Sequence, residues 1–203
     1  MSHKQKIAIA APVTFVAVMY PVFHLLAAVF RGNWRIGWYL GLAVYWLVWG
    51  AVFPLLVVGK ARMAKLIRPQ RFKVQVVLLA MVPLMGASIY RLVPGMEYDK
   101  PGFWVLPLLI SSCFGNGLFE EALWRGVYME LFPDNLLLRI VWPSIWFALW
   151  HYVPGSVNPD GNVLGLMIGS GLMGFYLSFL AKQTDTIWWT IVGHTLGGII
   201  MII

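Results

Sequence analysis

The sequence predicts an all-α, polytopic membrane protein, a transmembrane helical bundle with about seven spans. Of its 203 residues, 60% are hydrophobic and 11% are charged, whereas a soluble domain usually carries about a quarter charged residues. Several apolar runs also reach the length that crosses a bilayer. A chain with so few charges cannot cover a water-facing surface, so a soluble globular enzyme is excluded.

The apolar runs follow one another with short connections. We expect spans at residues 7–30, 36–59, 74–93, 103–131, 140–152, 161–181 and 187–203. The first run is too long for a signal peptide and lacks a small-residue cleavage site, so it is predicted to stay as a helix. No internal repeat or linker divides the chain. Residues 1–203 are therefore predicted to form a single integral membrane domain.

The net charge of +7 is concentrated between the second and third predicted spans. Six of the fifteen basic residues lie in this short stretch: Lys60, Arg62, Lys65, Arg68, Arg71 and Lys73. Basic residues between spans are typical of a cytoplasmic loop that faces anionic headgroups. This placement favours the lipid bilayer over nucleic acid as the partner. It predicts a cytoplasmic N-terminus in a bacterial or archaeal cell (inner) membrane.

Three ionisable residues stand beside the fourth apolar run. Glu120 and Glu121 are adjacent, and Arg125 follows four residues after Glu121. On a helix, residues four apart share a face, so Glu121 and Arg125 are predicted to pair while Glu120 points elsewhere. Charges within a membrane are costly and mark functional sites. The alternative is an interfacial helix end at which the Glu–Arg pair satisfies itself.

Two histidines lie inside later apolar segments. His151 ends a tryptophan-rich run, and His194 stands among small residues. A lone histidine, such as His24 in the first span, is usually packed or interfacial. Two imidazoles downstream of a Glu-Glu-Arg cluster predict instead one buried, wet site formed by several helices.

Glycines repeat at four-residue spacing in the last two predicted spans. Gly161, Gly165 and Gly169 form one such series, and Gly193 and Gly197 form another. Small residues at this spacing predict close helix packing.

Three ordered motifs within the predicted membrane helices carry a resemblance: Glu120-Glu121-x-x-x-Arg125, Phe147-x-x-x-His151 and His194. Together they resemble the CAAX-protease and bacteriocin-processing (CPBP) family, the glutamate intramembrane endopeptidases that include the Ras-converting CAAX endopeptidase. The resemblance covers the C-terminal half, and it implies a catalytic core at about residues 103–203.

The resemblance implies a metal-independent peptide hydrolase without a cofactor. By this analogy Glu120 activates a water and His151 helps to hold it. His194 would stabilise the tetrahedral oxyanion, as preorganised donors do in other amide hydrolases. Glu121 and Arg125 would orient the site. The implied substrate is a membrane-anchored or membrane-proximal peptide, such as a C-terminal tag, an anchor or a leader.

One position departs from the family pattern. The third motif of the family is usually His-x-x-x-Asn, whereas Gly198 stands four residues after His194. Thr195 or Asn116 could supply the missing donor. The departure also leaves open a non-catalytic membrane immunity or scaffold protein of the same fold.

Other chemistries use the same residue types. Two histidines and a glutamate could bind zinc, but the His-Glu-x-x-His helix of zinc peptidases is absent. The single cysteine, Cys113, could act with a histidine as a nucleophile, although a buried thiol is usually structural. A proton-coupled carrier could relay protons through the same groups; the inverted repeats that would support it are not visible.

Overall fold

The chain is helical throughout the part that this computed structural model describes, which is residues 1–69, 73–91, 106–158 and 161–202, with the backbone alone for residues 87–91. Within these ranges the secondary structure is helix without strands. The predicted all-α class is therefore confirmed.

The helices are named here in chain order. They are α1 (His3–Val29), α2 (Trp34–Val57), α3 (Lys60–Ile67), α4 (Val74–Ala80), α5 (Val82–Arg91), α6 (residues 106–131), α7 (residues 137–150), α8 (Tyr152–Gly155), α9 (Val163–Thr184) and α10 (Trp188–Ile202). Ser2 caps α1 through a reciprocal bond with Gln5, and Asn162 caps α9. Pro12 and Pro21 lie inside α1, which continues past both.

Three helices are long and apolar enough to cross a membrane, namely α1, α2 and α9. The apolar segments Val74–Gly86 and Trp188–Ile202 are shorter. These lengths are consistent with a helical membrane protein, and the three helices coincide with three of the expected spans. The total of seven stays a prediction.

One expectation for the middle of the chain needs correction, because the stretch predicted as a loop at residues 60–73 contains the helix α3. The helices α4 and α5 follow each other within the third predicted span, and Met81 between them keeps helical hydrogen bonds to Val77 and Met85. An amphipathic run can form a surface helix when its apolar residues find a partner, and Met63 and Leu66 are the buried residues of α3. Arg71, the end of the third predicted span at residue 93 and the start of the fourth at residue 103 lie outside the described residues.

The helix α3 is attached to one end of the bundle. Arg62 pairs with Glu130 of α6 at 2.9 Å. The carbonyl of Leu66 accepts hydrogen bonds from the Thr186 hydroxyl at 2.7 Å and from the backbone N–H of Ile187 at 3.0 Å. The basic helix is thus tied to the end of α6 and to the start of α10.

The glycine prediction is wrong for α9 and holds for α10. A Cβ atom at Gly169 would meet nothing within 4 Å, and the three atoms nearest to one at Gly165 all belong to the capping side chain of Asn162. The close approach on α9 lies at Gly174, where a Cβ would stand 3.1 Å from the ring of Phe147. On α10, a Cβ at Gly193 would lie 2.8 Å from the carbonyl oxygen of Ala80. A spacing pattern shows which helix face could pack closely, but not which face finds a neighbour.

The centre of the bundle is an aromatic cluster of four fully buried rings, one each from α1, α2, α6 and α7: Phe15, Tyr45, Trp124 and Trp150. The Phe15 ring meets Trp124 edge-on at 5.2 Å and Trp150 at 5.3 Å between centroids. Aromatic pairs of this geometry add about 0.5–1.5 kcal/mol each beyond their burial. The cluster joins the N-terminal helices to the segment of α6 that carries the two glutamates.

Candidate active site

Glu121 and Arg125 form a fully buried ion pair on α6. Arg125 Nη1 donates to Glu121 Oε1 at 2.9 Å. Its Nη2 donates to the carbonyl oxygen of Gly174 on α9 at 3.2 Å, and the guanidinium lies 4.5 Å from the centre of the Phe147 ring. The predicted pairing is confirmed, and the same guanidinium also contacts α7 and α9.

His194 of α10 contacts both glutamates. Its Nδ1 lies 2.8 Å from Glu121 Oε1, and its Nε2 lies 3.7 Å from Glu120 Oε2. An ionised carboxylate only accepts hydrogen bonds, so Nδ1 carries a proton and donates it to Glu121. The imidazole is thereby held with its second nitrogen toward Glu120.

Glu120 is as buried as its neighbour, but it has different partners. The indole N–H of Trp150 donates to its Oε1 at 3.2 Å. Its Oε2 has no hydrogen-bond partner within the described part of the chain, and the same holds for Glu121 Oε2. A buried polar atom left in this way requires an explanation, and a catalytic role is one. The two glutamates differ instead in charge compensation, since Arg125 contacts Glu121 whereas a neutral indole contacts Glu120.

His151 lies one residue after Trp150 and is half-buried. Its Nδ1 is 2.7 Å from the carbonyl oxygen of Phe147, which can only accept. The proton therefore sits on Nδ1, and the Nε2 lone pair is left to accept. The Phe147 ring stands edge-on to both imidazoles, at 4.6 Å from His151 and 6.1 Å from His194.

Two features of the local sequence allow this arrangement. At Gly117 a Cβ atom would collide with the Thr195 hydroxyl, so a glycine lets α10 approach α6 beside the site. The segments Asn116–Glu120 and Ala122–Val127 are π-helical. Such wide turns are rare and frequently lie at functional sites.

The two residues proposed to replace the missing asparagine lie near the same crossing. Asn116 Oδ1 accepts from the indole of Trp46 at 3.0 Å, which leaves the Asn116 amide hydrogens as donors. Thr195 faces Gly117 and is buried. Position 198 also faces α6, since a Cβ there would lie 3.0 Å from Cys113 Sγ.

Sequence reasoning missed two groups that hold the site, the indole of Trp150 and the carbonyl of Gly174. The role of the Trp150 indole could have been predicted, because an indole N–H inside an apolar helix usually needs a hydrogen-bond partner. The role of the Gly174 carbonyl could not, since the packing of the helices decides which backbone carbonyl is available.

The expectation that no metal takes part stays a prediction. Within the described ranges, no three or more histidine, cysteine, aspartate or glutamate side chains are grouped so as to hold a metal ion.

A comparison with models of known protein families gives a match in the C-terminal part of the chain. Residues 102–200 match the family model described as type II CAAX prenyl endopeptidase Rce1-like. The match contains all three motifs, so the resemblance is confirmed over the C-terminal half. No curated protein and no solved structure is significantly similar to the chain.

Proposed function

We propose that this chain, whose C-terminal half matches the Rce1-like family of CAAX prenyl endopeptidases, is an intramembrane endopeptidase that activates water with Glu120. The family is one of proteases, which supports peptide hydrolysis. The helices α1, α2 and α9 support a site within a membrane. The assignment of Glu120 rests on the geometry of the two adjacent carboxylates.

One observation carries the assignment. Glu121 is neutralised by Arg125 at 2.9 Å, whereas the hydrogen bond to Glu120 comes from the neutral indole of Trp150. Both glutamates keep an Oε2 atom without a partner among the described residues, and that of Glu120 lies 3.7 Å from His194 Nε2. A general base must hold a lone pair within reach of the proton that it removes. We assign this role to Glu120, because Arg125 already compensates the charge of Glu121.

The proposed reaction proceeds in two proton transfers. Glu120 Oε2 takes a proton from a water molecule while the water oxygen bonds to the carbonyl carbon of the scissile peptide. The tetrahedral intermediate then collapses, the carbon–nitrogen bond breaks, and Glu120 returns the proton to the leaving amine. The carboxylate ends as it began, and no redox step is required.

The histidines have separate roles in this proposal. A His194 ring that carries both protons donates from Nδ1 to Glu121 and from Nε2 toward the oxyanion, which preorganised donors stabilise by about 3–4 kcal/mol. Arg125 and Glu121 fix that ring. His151, protonated on Nδ1, accepts a water O–H through Nε2. Asn116 is the proposed second donor to the oxyanion.

The substrate class follows from the site's surroundings. Apolar helices surround the site, so the peptide reaches it from the bilayer or from its surface. A membrane-anchored segment such as a C-terminal tag or leader fits, and the family description points to a prenyl anchor. We place the N-terminus and the basic helix α3 in the cytoplasm.

The test uses the full chain in phosphatidylcholine vesicles with three fluorogenic peptides. One carries a farnesylated Cys-aliphatic-aliphatic-X end, the second is the same peptide without the lipid, and the third has a hydrophobic helix as anchor. Glu120→Gln is compared with Glu130→Gln, a control on the same helix whose carboxylate pairs with Arg62.

We expect cleavage of at least one anchored peptide by the wild type and by Glu130→Gln. Glu120→Gln should lose activity by at least about 100-fold, because an amide cannot accept the water proton. Equal cleavage by wild type and Glu120→Gln would refute the assignment. No cleavage of any peptide would favour the second candidate, a non-catalytic immunity or scaffold protein, for which Gly198 in place of the family asparagine is the supporting observation.

A further inference from the structure

The hydrogen bond between Trp150 and Glu120 fixes one oxygen of the proposed base. An indole N–H can only donate, so the 3.2 Å contact assigns Glu120 Oε1 as its acceptor. With Oε1 held, the other oxygen is directed toward His194. The angle of the carboxylate therefore depends on where the indole ring lies.

The indole ring of Trp150 is itself clamped by α1 and α2. The Tyr45 ring stacks on it with centroids 4.1 Å apart and an angle of 27° between the planes. Phe15 and Phe23 meet it edge-on at 5.3 and 5.9 Å. All four rings are fully buried, so the indole cannot move without displacing a helix.

Tyr45 is tied back to the helix that carries the base. Trp124 Nε1 donates to the Tyr45 hydroxyl at 2.9 Å, and Trp124 follows Glu120 by four residues on α6. The contacts form a closed loop that runs from Glu120 through Trp150 and Tyr45 to Trp124. Such a loop fixes a side chain better than a single contact, since each member has two restraints.

We propose that Trp150 is a positioning residue for Glu120, and that Tyr45 of α2 holds Trp150 in place through the stacked rings. This inference rests on the proposed function, because it takes Glu120 as the base. It assigns a role in the site to a residue outside the matched range 102–200. The N-terminal helices are then part of the catalytic apparatus.

The experiment uses variants that separate the hydrogen bond from the packing. Trp150→Phe keeps an aromatic ring and loses the N–H. Trp142→Phe is the matched control on the same helix, because the Trp142 N–H has no partner in the part of the chain that the structure describes. Tyr45→Leu removes the stacking ring, whereas Tyr45→Phe keeps it.

The readout is kcat and KM for whichever anchored peptide the wild type cleaves. Loss of a hydrogen bond to a charged group predicts a kcat for Trp150→Phe that is lower by about 10- to 100-fold. KM should stay within about twofold, because the substrate does not touch the indole. The kcat of Tyr45→Leu should fall by a similar factor, whereas Tyr45→Phe should keep most of the wild-type kcat. The kcat and KM of Trp142→Phe should equal those of the wild type.

A second measurement is independent of turnover. In protein with isotope-labelled tryptophan, the indole N–H resonance of Trp150 should move when Glu120 is replaced by Gln. It should not move in Glu130→Gln. This measurement tests the hydrogen bond between Trp150 and Glu120 even if Trp150→Phe does not fold.

The outcomes separate this inference from the proposed function. Wild-type kcat in Trp150→Phe, or an equal fall in Trp142→Phe, would overturn the positioning role while Glu120→Gln still abolished cleavage. An unmoved indole resonance in Glu120→Gln would overturn it as well. Equal losses in Tyr45→Phe and Tyr45→Leu would refute the role of the stacked rings. A wild type that cleaves no peptide, with the resonance still moving, would refute the protease alone.

Discussion

Replacing Arg125 by methionine should destabilise the protein more than any change at its surface. Methionine keeps an unbranched stem and removes the guanidinium with its charge. The substitution removes the bond to Glu121, the bond to the Gly174 carbonyl and the contact with the Phe147 ring. Glu121 would remain ionised and buried, with His194 Nδ1 still 2.8 Å from its Oε1.

The expected cost follows from this burial. Removing one partner of a buried ion pair costs about 3–5 kcal/mol, because the other charge is left uncompensated. A charged side chain in the centre of a bilayer costs a similar amount, at least about 2.5–3.5 kcal/mol. Both routes indicate a loss near 3 kcal/mol or more in the free energy of unfolding.

A second ion pair with the same distance between its charges, but at the surface, serves as the control. Arg62 and Glu130 lie 2.9 Å apart, as Arg125 and Glu121 do, but 66% of the Arg62 side chain is exposed. Arg62→Met should therefore cost about 0.2–1 kcal/mol. The contrast between the two variants isolates burial from geometry.

The assay is unfolding by sodium dodecyl sulfate in mixed micelles, followed by circular dichroism. The double variant Glu121→Met, Arg125→Met removes both charges and should recover at least half of the loss of Arg125→Met, because no uncompensated charge remains. A loss in Arg125→Met no larger than in Arg62→Met would refute the reasoning. A double variant less stable than Arg125→Met would refute it too.

Three further predictions concern the site and its helices. His194→Ala should lower kcat by about 100-fold through loss of the oxyanion donor, while His24→Ala should cleave the same peptide at the wild-type rate. Gly117→Ala should destabilise the protein in the same unfolding assay, because its Cβ would collide with Thr195, whereas Gly169→Ala should be tolerated in open space. Cleavage should survive EDTA and phenanthroline, because the proposed base is a carboxylate; loss of activity that added zinc restores would contradict this.

The sequence predicts the parts of the site that depend on helical spacing. Glu121 and Arg125 share a face because they are four residues apart, and this holds whatever surrounds them. Polar residues in apolar helices also tend to face one another, since lipid is the costlier neighbour. This argument brings His194 to the two glutamates, as the structure has it.

Other parts depend on packing and were not predictable. The glycines of α9 show the limit, because Gly169 has the predicted spacing but a Cβ there would meet nothing within 4 Å. The approach at Gly174 depends on how α9 rotates against α7. Likewise, the residues of α3 form an amphipathic run. The sequence alone does not show that Met63 and Leu66 of this helix are buried against the end of the bundle.

The contrast between adjacent glutamates explains how one buried carboxylate can be structural and the next reactive. Both are removed from water, so burial alone does not distinguish them. Glu121 faces a guanidinium and an imidazole, which compensate its charge and lock its position. Glu120 accepts one bond from a neutral indole, which orients it without neutralising it. Each carboxylate keeps an Oε2 atom without a partner among the described residues, so in our proposal it is the uncompensated charge of Glu120 that leaves it able to take the proton of a water molecule, as a general base does.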